Sequence, residues 1–220
     1  MTQINFKPST DEVVVAGMFA AISIVFQVVH IGFPSPIGMW VDLVGIPWLL
    51  AYFLKGFRTA LLTAVIATIV IALVCPTGPL GASMKFVATV PMFFIPALSL
   101  YASKQKKHLK DIKFASFALF PALLVRLLIT LPLNVYFAIP IWTGVSFETA
   151  VPEMIKRTID FCNTWGLTSV STTLSNISSG EAILVLLAFL AVLNIIQGIF
   201  EFGVAWFLSF KTQLNKLEWD

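Results

Sequence analysis

Charge is scarce in this chain: of 220 residues, 11% are Asp, Glu, Lys or Arg, 58% are hydrophobic, and the mean hydropathy is +0.93. A soluble domain of this length carries roughly a quarter charged residues, so a water-facing globule is excluded. The two histidines, His30 and His108, and the two cysteines, Cys75 and Cys162, lack metal-type spacing. The thiols read as idle or, with both placed outside the membrane, as a disulfide. No G-x-x-x-x-G-K-[ST] run is present, so the chain does not cradle ATP by itself. H-E-x-x-H, G-x-S-x-G and a close carboxylate pair are missing too. The expectation is therefore no enzyme, no metal and no cofactor bound for catalysis. The net charge of +3 is small and clustered, and gives no sign of nucleic acid as a partner.

What the chain does hold is long, non-alternating apolar runs. In lipid every backbone polar group must be satisfied internally, which leaves helices or a closed barrel; the barrel needs alternation and is excluded. The reading is an all-α, six-transmembrane-helix bundle forming one integral membrane domain over 1–220. Its spans are placed at about 11–30, 42–54, 57–74, 83–101, 114–141 and 181–210. The second is short and broken by Pro47, reaching about 20 Å against a ~30 Å hydrocarbon core. A truncated span of this kind suggests a helix ending inside a crevice. Capping-box patterns open the first span at Ser9 with Glu12 and the last at Ser178 with Glu181. An outer segment, 143–180, has room for one short amphipathic helix around Glu148–Phe161.

Basic residues set the orientation. Lys7, Lys55, Arg58, Lys104, Lys106, Lys107, Lys110, Lys113, Lys211 and Lys216 fall on one side, and only Lys85, Lys156 and Arg157 on the other. The positive-inside rule puts both termini in the cytoplasm. The N-terminal flank, with Asp11 and Glu12 against Lys7, does not read as a signal peptide.

Two polar stripes cross this apolar background. Arg126, Thr130 and Asn134 recur at i, i+4, i+8; Asn194, Gln197 and Glu201 at i, i+3, i+7. Each trio shares one helix face, and such side chains normally face a protein interior or a wet cavity. Arg126 and Glu201 lie at comparable depths and are expected to pair, either as a structural clamp or as a ligand site. The clamp is favoured because the amides lie further outward. Asn134, Asn194 and Gln197 offer donors and acceptors, as an uncharged heterocycle requires. Phe33, Met39, Trp40 and Tyr136 add flat or flexible apolar surface for a planar ligand; Trp142 reads equally well as interfacial belt. Asp42 and Lys85, at the outer rim, could bind polar ligand groups. On the first span, Ala16 with Ala20 forms a small-xxx-small pair that admits a close helix neighbour.

These features resemble the substrate-binding membrane subunits (S components) of energy-coupling factor (ECF) vitamin transporters. Trp40-Val41-Asp42-Leu43-Val44-Gly45-Ile46-Pro47 is similar to their loop-to-second-helix region, and Thr77-Gly78-Pro79-Leu80-Gly81 with Lys85-Phe86 to their fourth-helix entry. Leu133-Asn134-Val135-Tyr136-Phe137-Ala138-Ile139-Pro140 and Leu193-Asn194-Ile195-Ile196-Gln197-Gly198 resemble the riboflavin-specific branch, with Gln197 where that branch usually has Lys. The resemblance implies a multi-pass subunit of the cell membrane with riboflavin as transported ligand. It also implies a transmembrane coupling subunit and two ATPases as partners, with the Ala16/Ala20 face touching the coupling subunit.

Overall fold

The computed structural model describes residues 8–35, 40–76, 78–103 and 108–212. Its helices are α1 (Thr10–Val28), α2 (Gly45–Lys55), α3 (Phe57–Val74), α4 (Gly78–Ser103), α5 (Ile112–Leu133), α6 (Ile139–Thr143), α7 (Phe147–Thr164), α8 (Thr168–Ser175) and α9 (Ser179–Lys211). A small antiparallel hairpin, β1 (Gly32–Pro34) with β2 (Trp40–Asp42), joins α1 to α2. Both expected capping boxes form. The Ser9 hydroxyl accepts from the Glu12 N–H while the Glu12 carboxylate accepts from the Ser9 N–H, and Ser178 and Glu181 repeat the arrangement.

Five helical stretches are long and apolar enough to cross a membrane: Thr10–Val28, Phe57–Val74, Gly78–Ser103, Ile112–Thr143 and Gly180–Lys211. The sixth expected span, α2, has 11 residues, about 17 Å of helix. It is instead an inner element, with Trp48, Leu49, Ala51 and Tyr52 in the core between α1, α3 and α9. Gly56, at φ 97°, turns α2 directly into α3, a backbone geometry that a Cβ would strain.

Ala16 and Ala20 are completely buried, with α1 packed against α3 and α2; Ala20 shares a core cluster with Ala60, Ala64 and Ala67 of α3. The small-residue face therefore admits a helix of this same chain. The outward face of α1 is built from Val14, Met18, Ile22 and Val25.

Three contacts fix which helix ends lie together. Lys55 pairs with Asp11 at 2.7 Å, Phe53 and Phe210 stack edge-on at 5.5 Å, and the Trp206 indole N–H donates to the Leu109 carbonyl at 2.7 Å. The start of α1 and the ends of α2 and α9 thus share one end of the bundle. The outer segment holds two helices where one was expected. α7 buries Ala150, Val151, Met154 and Ile155 against Leu186 and Leu190 of α9, and α8 follows after a turn at Gly166. Cys75 and Cys162 are both free and buried.

Candidate functional site

At the end of the bundle opposite those termini lies a cavity of about 390 Å³, within the range of roughly 300–1,000 Å³ typical of small-molecule sites. Helical periodicity builds its walls. Gly81, Lys85 and Thr89 line it from one face of α4, while Arg126, Thr130 and Asn134 line it from α5 and the turn that follows. Asn194, Gln197 and Glu201 line it from α9. Both polar stripes read in the sequence therefore border one chamber. The α1 end contributes Gln27, the hairpin contributes Asp42, and Met154 and Arg157 come from α7.

The floor is a buried ionic network. The Arg126 guanidinium Nη1 donates to Glu201 Oε2 at 3.1 Å, and both side chains are 1% exposed. Arg126 Nε donates to Asn194 Oδ1 at 3.3 Å, and Gln197 Nε2 donates to Glu201 Oε1 at 3.1 Å. The first residue of α2 presses on the same carboxylate: a Cβ on Gly45 would lie 2.6 Å from the Glu201 carboxyl carbon. A helix N-terminus carries partial positive charge and unpaired N–H groups, so Glu201 is held by a cation, an amide and a helix end. The inner pair is thus a clamp and a cavity wall at once.

Asp42 anchors the rim. Its Oδ1 accepts from the Val44 N–H at 3.1 Å, its Oδ2 pairs with the Lys85 ammonium, and the Ser23 hydroxyl donates to the Val44 carbonyl at 3.1 Å. These bonds pin the entry to α2 between α1 and α4. Two polar atoms in the wall lack a partner altogether: Gln27 Oε1 and Thr130 Oγ1, both buried. An unsatisfied buried group costs about 1–3 kcal/mol.

Two expected ligand contacts face elsewhere. Tyr136 is 63% exposed and outside the cavity wall, because two residues beyond Asn134 is nearly the opposite side of a helix. Phe33, 77% exposed, sits one strand position from the register of Asp42 (Gly32 faces Asp42 and Phe33 faces Val41), so it points to the other face. Met39 lies outside the described residues, and Trp40 is described by its backbone alone. The ring that does reach the wall is Trp142. Residues Asn134–Ala138 form a π-turn in which the Ile139 N–H donates to the Asn134 carbonyl. That extra residue rotates the chain, so Ile139, Trp142 and Thr143 continue the face begun by Arg126.

Gln27 and Thr89 were missed from sequence, although each left a trace. Gln27 is an amide in an otherwise apolar span, and Thr89 stands four residues beyond Lys85. Arg157 was visible only as a basic residue of the outer segment.

Fold and site together define a membrane-embedded, solute-binding helical protein. Residues 11–209 match the family described as ECF transporter, substrate-specific component, and the chain belongs to that family. No individual curated protein matches alongside it. The chain is a multi-pass protein of the cell membrane and the substrate-binding subunit of an ECF transporter; members of this family bind substrate for transport and are not enzymes.

Proposed function

We propose that this chain captures a planar vitamin, riboflavin first among the candidates, from outside the cell for ATP-driven uptake. The termini lie in the cytoplasm, so the cavity, at the other end of the bundle, faces outward. A transmembrane coupling subunit and two ATPases complete the importer, since the chain carries no phosphate-binding loop of its own. The observation that carries this reading is the chamber walled by the amides of Gln27, Asn134, Asn194 and Gln197. Amide edges read the N–H and C=O pattern of a heterocycle, and Trp142 offers a stacking face. Purified protein is expected to bind riboflavin with quenching of its yellow-green fluorescence. Asn194→Ala is expected to weaken binding by roughly tenfold or more, through a lost wall contact and a loosened Arg126. Unchanged affinity in that variant would refute this assignment of the site.

A second reading, another vitamin or heterocycle in the same chamber, draws on a specific feature. Among the described residues Trp142 is the one aromatic ring in the wall, and Gln197 replaces the Lys usual in the riboflavin branch. Mass spectrometry of the ligand that co-purifies with the protein separates the two.

A further inference from the structure

The cavity wall is not electrically balanced. Among its described residues are three cations, Lys85, Arg126 and Arg157, and two carboxylates, Asp42 and Glu201. Lys85 pairs with Asp42 and Arg126 with Glu201, and both members of each pair line the chamber. Arg157 differs. Its Nε donates at 3.1 Å to Glu153, one turn earlier on α7, and Glu153 is not part of the wall. The chamber therefore carries one positive charge whose counter-charge sits outside it on a half-exposed helix surface.

A fork of N–H donors facing a ligand space is suited to an acidic group, because a guanidinium meets a carboxylate or phosphate with two parallel hydrogen bonds. An exposed i, i+4 pair such as Glu153–Arg157 is weak, so a ligand anion competes with it at little cost. The position is also fixed. α7 is held to α9 through Ala150, Val151, Met154 and Ile155, and Met154, one turn before Arg157, lines the cavity with it.

We infer that Arg157 of α7 makes the chamber favour ligands that carry an acidic group, a carboxylate or a phosphate, over their neutral counterparts, making this residue a determinant of substrate charge. The inference rests on the vitamin-capture reading of the same cavity and adds a charge preference to it.

The test measures binding at low ionic strength of acid and neutral partners built on one scaffold: riboflavin 5′-phosphate against riboflavin, nicotinate against nicotinamide, and pyridoxal 5′-phosphate against pyridoxal. For whichever scaffold binds, the acidic member is expected to be favoured by about five- to tenfold, a modest factor because Arg157 is half exposed and screened. Arg157→Gln should abolish that preference, bringing the affinities of the two members together. Arg157→Lys should retain part of it, and Glu153→Gln should increase it. A neutral member that binds as well as its acidic partner, or a preference that survives in Arg157→Gln, overturns the inference and leaves vitamin capture standing. Binding confined to a non-flavin acid, dependent on Arg157, upholds it and refutes riboflavin. Binding of none of the six refutes both.

Discussion

Replacing Glu201 by Leu strands the Arg126 guanidinium at 1% exposure, in a helix interior that lipid surrounds. Removing one partner of a buried pair costs about 3–5 kcal/mol, because the remaining charge loses its compensation without regaining water. For a chain of this size roughly 2–4 °C of thermal midpoint accompanies each kcal/mol, so Glu201→Leu should lower the unfolding midpoint by about 6–20 °C. Arg126→Leu should do the same through the stranded carboxylate. The double variant Arg126→Leu/Glu201→Leu is the informative one, because replacing a whole buried pair by apolar side chains is often near neutral. It does orphan the Asn194 Oδ1 and Gln197 Nε2 that the pair engages, but an unpaired neutral amide costs less than a stranded charge. The double should therefore be more stable than either single, with a coupling energy of at least about 2 kcal/mol. Thermal unfolding in detergent, followed by tryptophan fluorescence, measures all four corners of the cycle. Additive losses, with the double less stable than both singles, would refute the claim that the pair acts as one buried unit.

Gly45→Ala should destabilise the protein by about 1–3 kcal/mol despite the better helix propensity of alanine. The added methyl meets the Glu201 carboxyl group at 2.6 Å, and Arg126 and Gln197 prevent that group from retreating; an unchanged unfolding midpoint would contradict this. Thr130→Val removes an unpartnered hydroxyl, so stability should hold or rise while ligand affinity falls, as calorimetric titration beside a thermal scan would register. Asp42→Ala cuts both the Val44 N–H bond and the Lys85 pair, and should cost about 3–5 kcal/mol by leaving the ammonium unpaired; Asp42→Ala with Lys85→Met should recover most of the loss. Burial pushes the Cys75 thiol above its ordinary pKa, which lowers its thiolate fraction and so its reactivity. A charged alkylating reagent should then label it slowly in the folded protein and fast in denaturant.

Periodicity carried most of the fold, because lipid forces the backbone into helices whose polar faces must look inward. Arg126, Thr130 and Asn134, four residues apart, and Asn194, Gln197 and Glu201, on one helix face, needed only that rule to be brought to a common chamber. The Arg126–Glu201 pair followed from equal depth. What failed to read through was geometry that periodicity does not encode. The π-turn at Asn134–Ala138 inserts one residue and brings Trp142, which the sequence left open between belt and ligand surface, to the cavity wall. Tyr136 was read as a flat ring for the ligand, but two residues beyond Asn134 it falls on the opposite side of the helix. Small-residue spacing at Ala16 and Ala20 correctly announced a close helix approach but could not say whose helix; it proved to be α3 and α2 of this chain. The second helix of the outer segment was hidden because α8, Thr168–Ser175, is short and mostly Ser and Thr, which are weak helix formers.

The arrangement around Glu201 explains why so short a helix as α2 belongs in a membrane bundle. Its 11 residues are too few to span the hydrocarbon, and its first residue, Gly45, borders the cavity. Two carboxylates lie at that end: Asp42 accepts from Val44 just before the helix, and Glu201 lies against Gly45 at its first residue. Each carboxylate is in turn balanced by a cation from another helix, Lys85 of α4 and Arg126 of α5. The charges that seem costly in lipid are thus what allows a helix to stop inside it. The space left above the broken end is the cavity. Glycine at position 45 lets the Glu201 carboxyl group lie against the α2 backbone, where a Cβ would come within 2.6 Å of it.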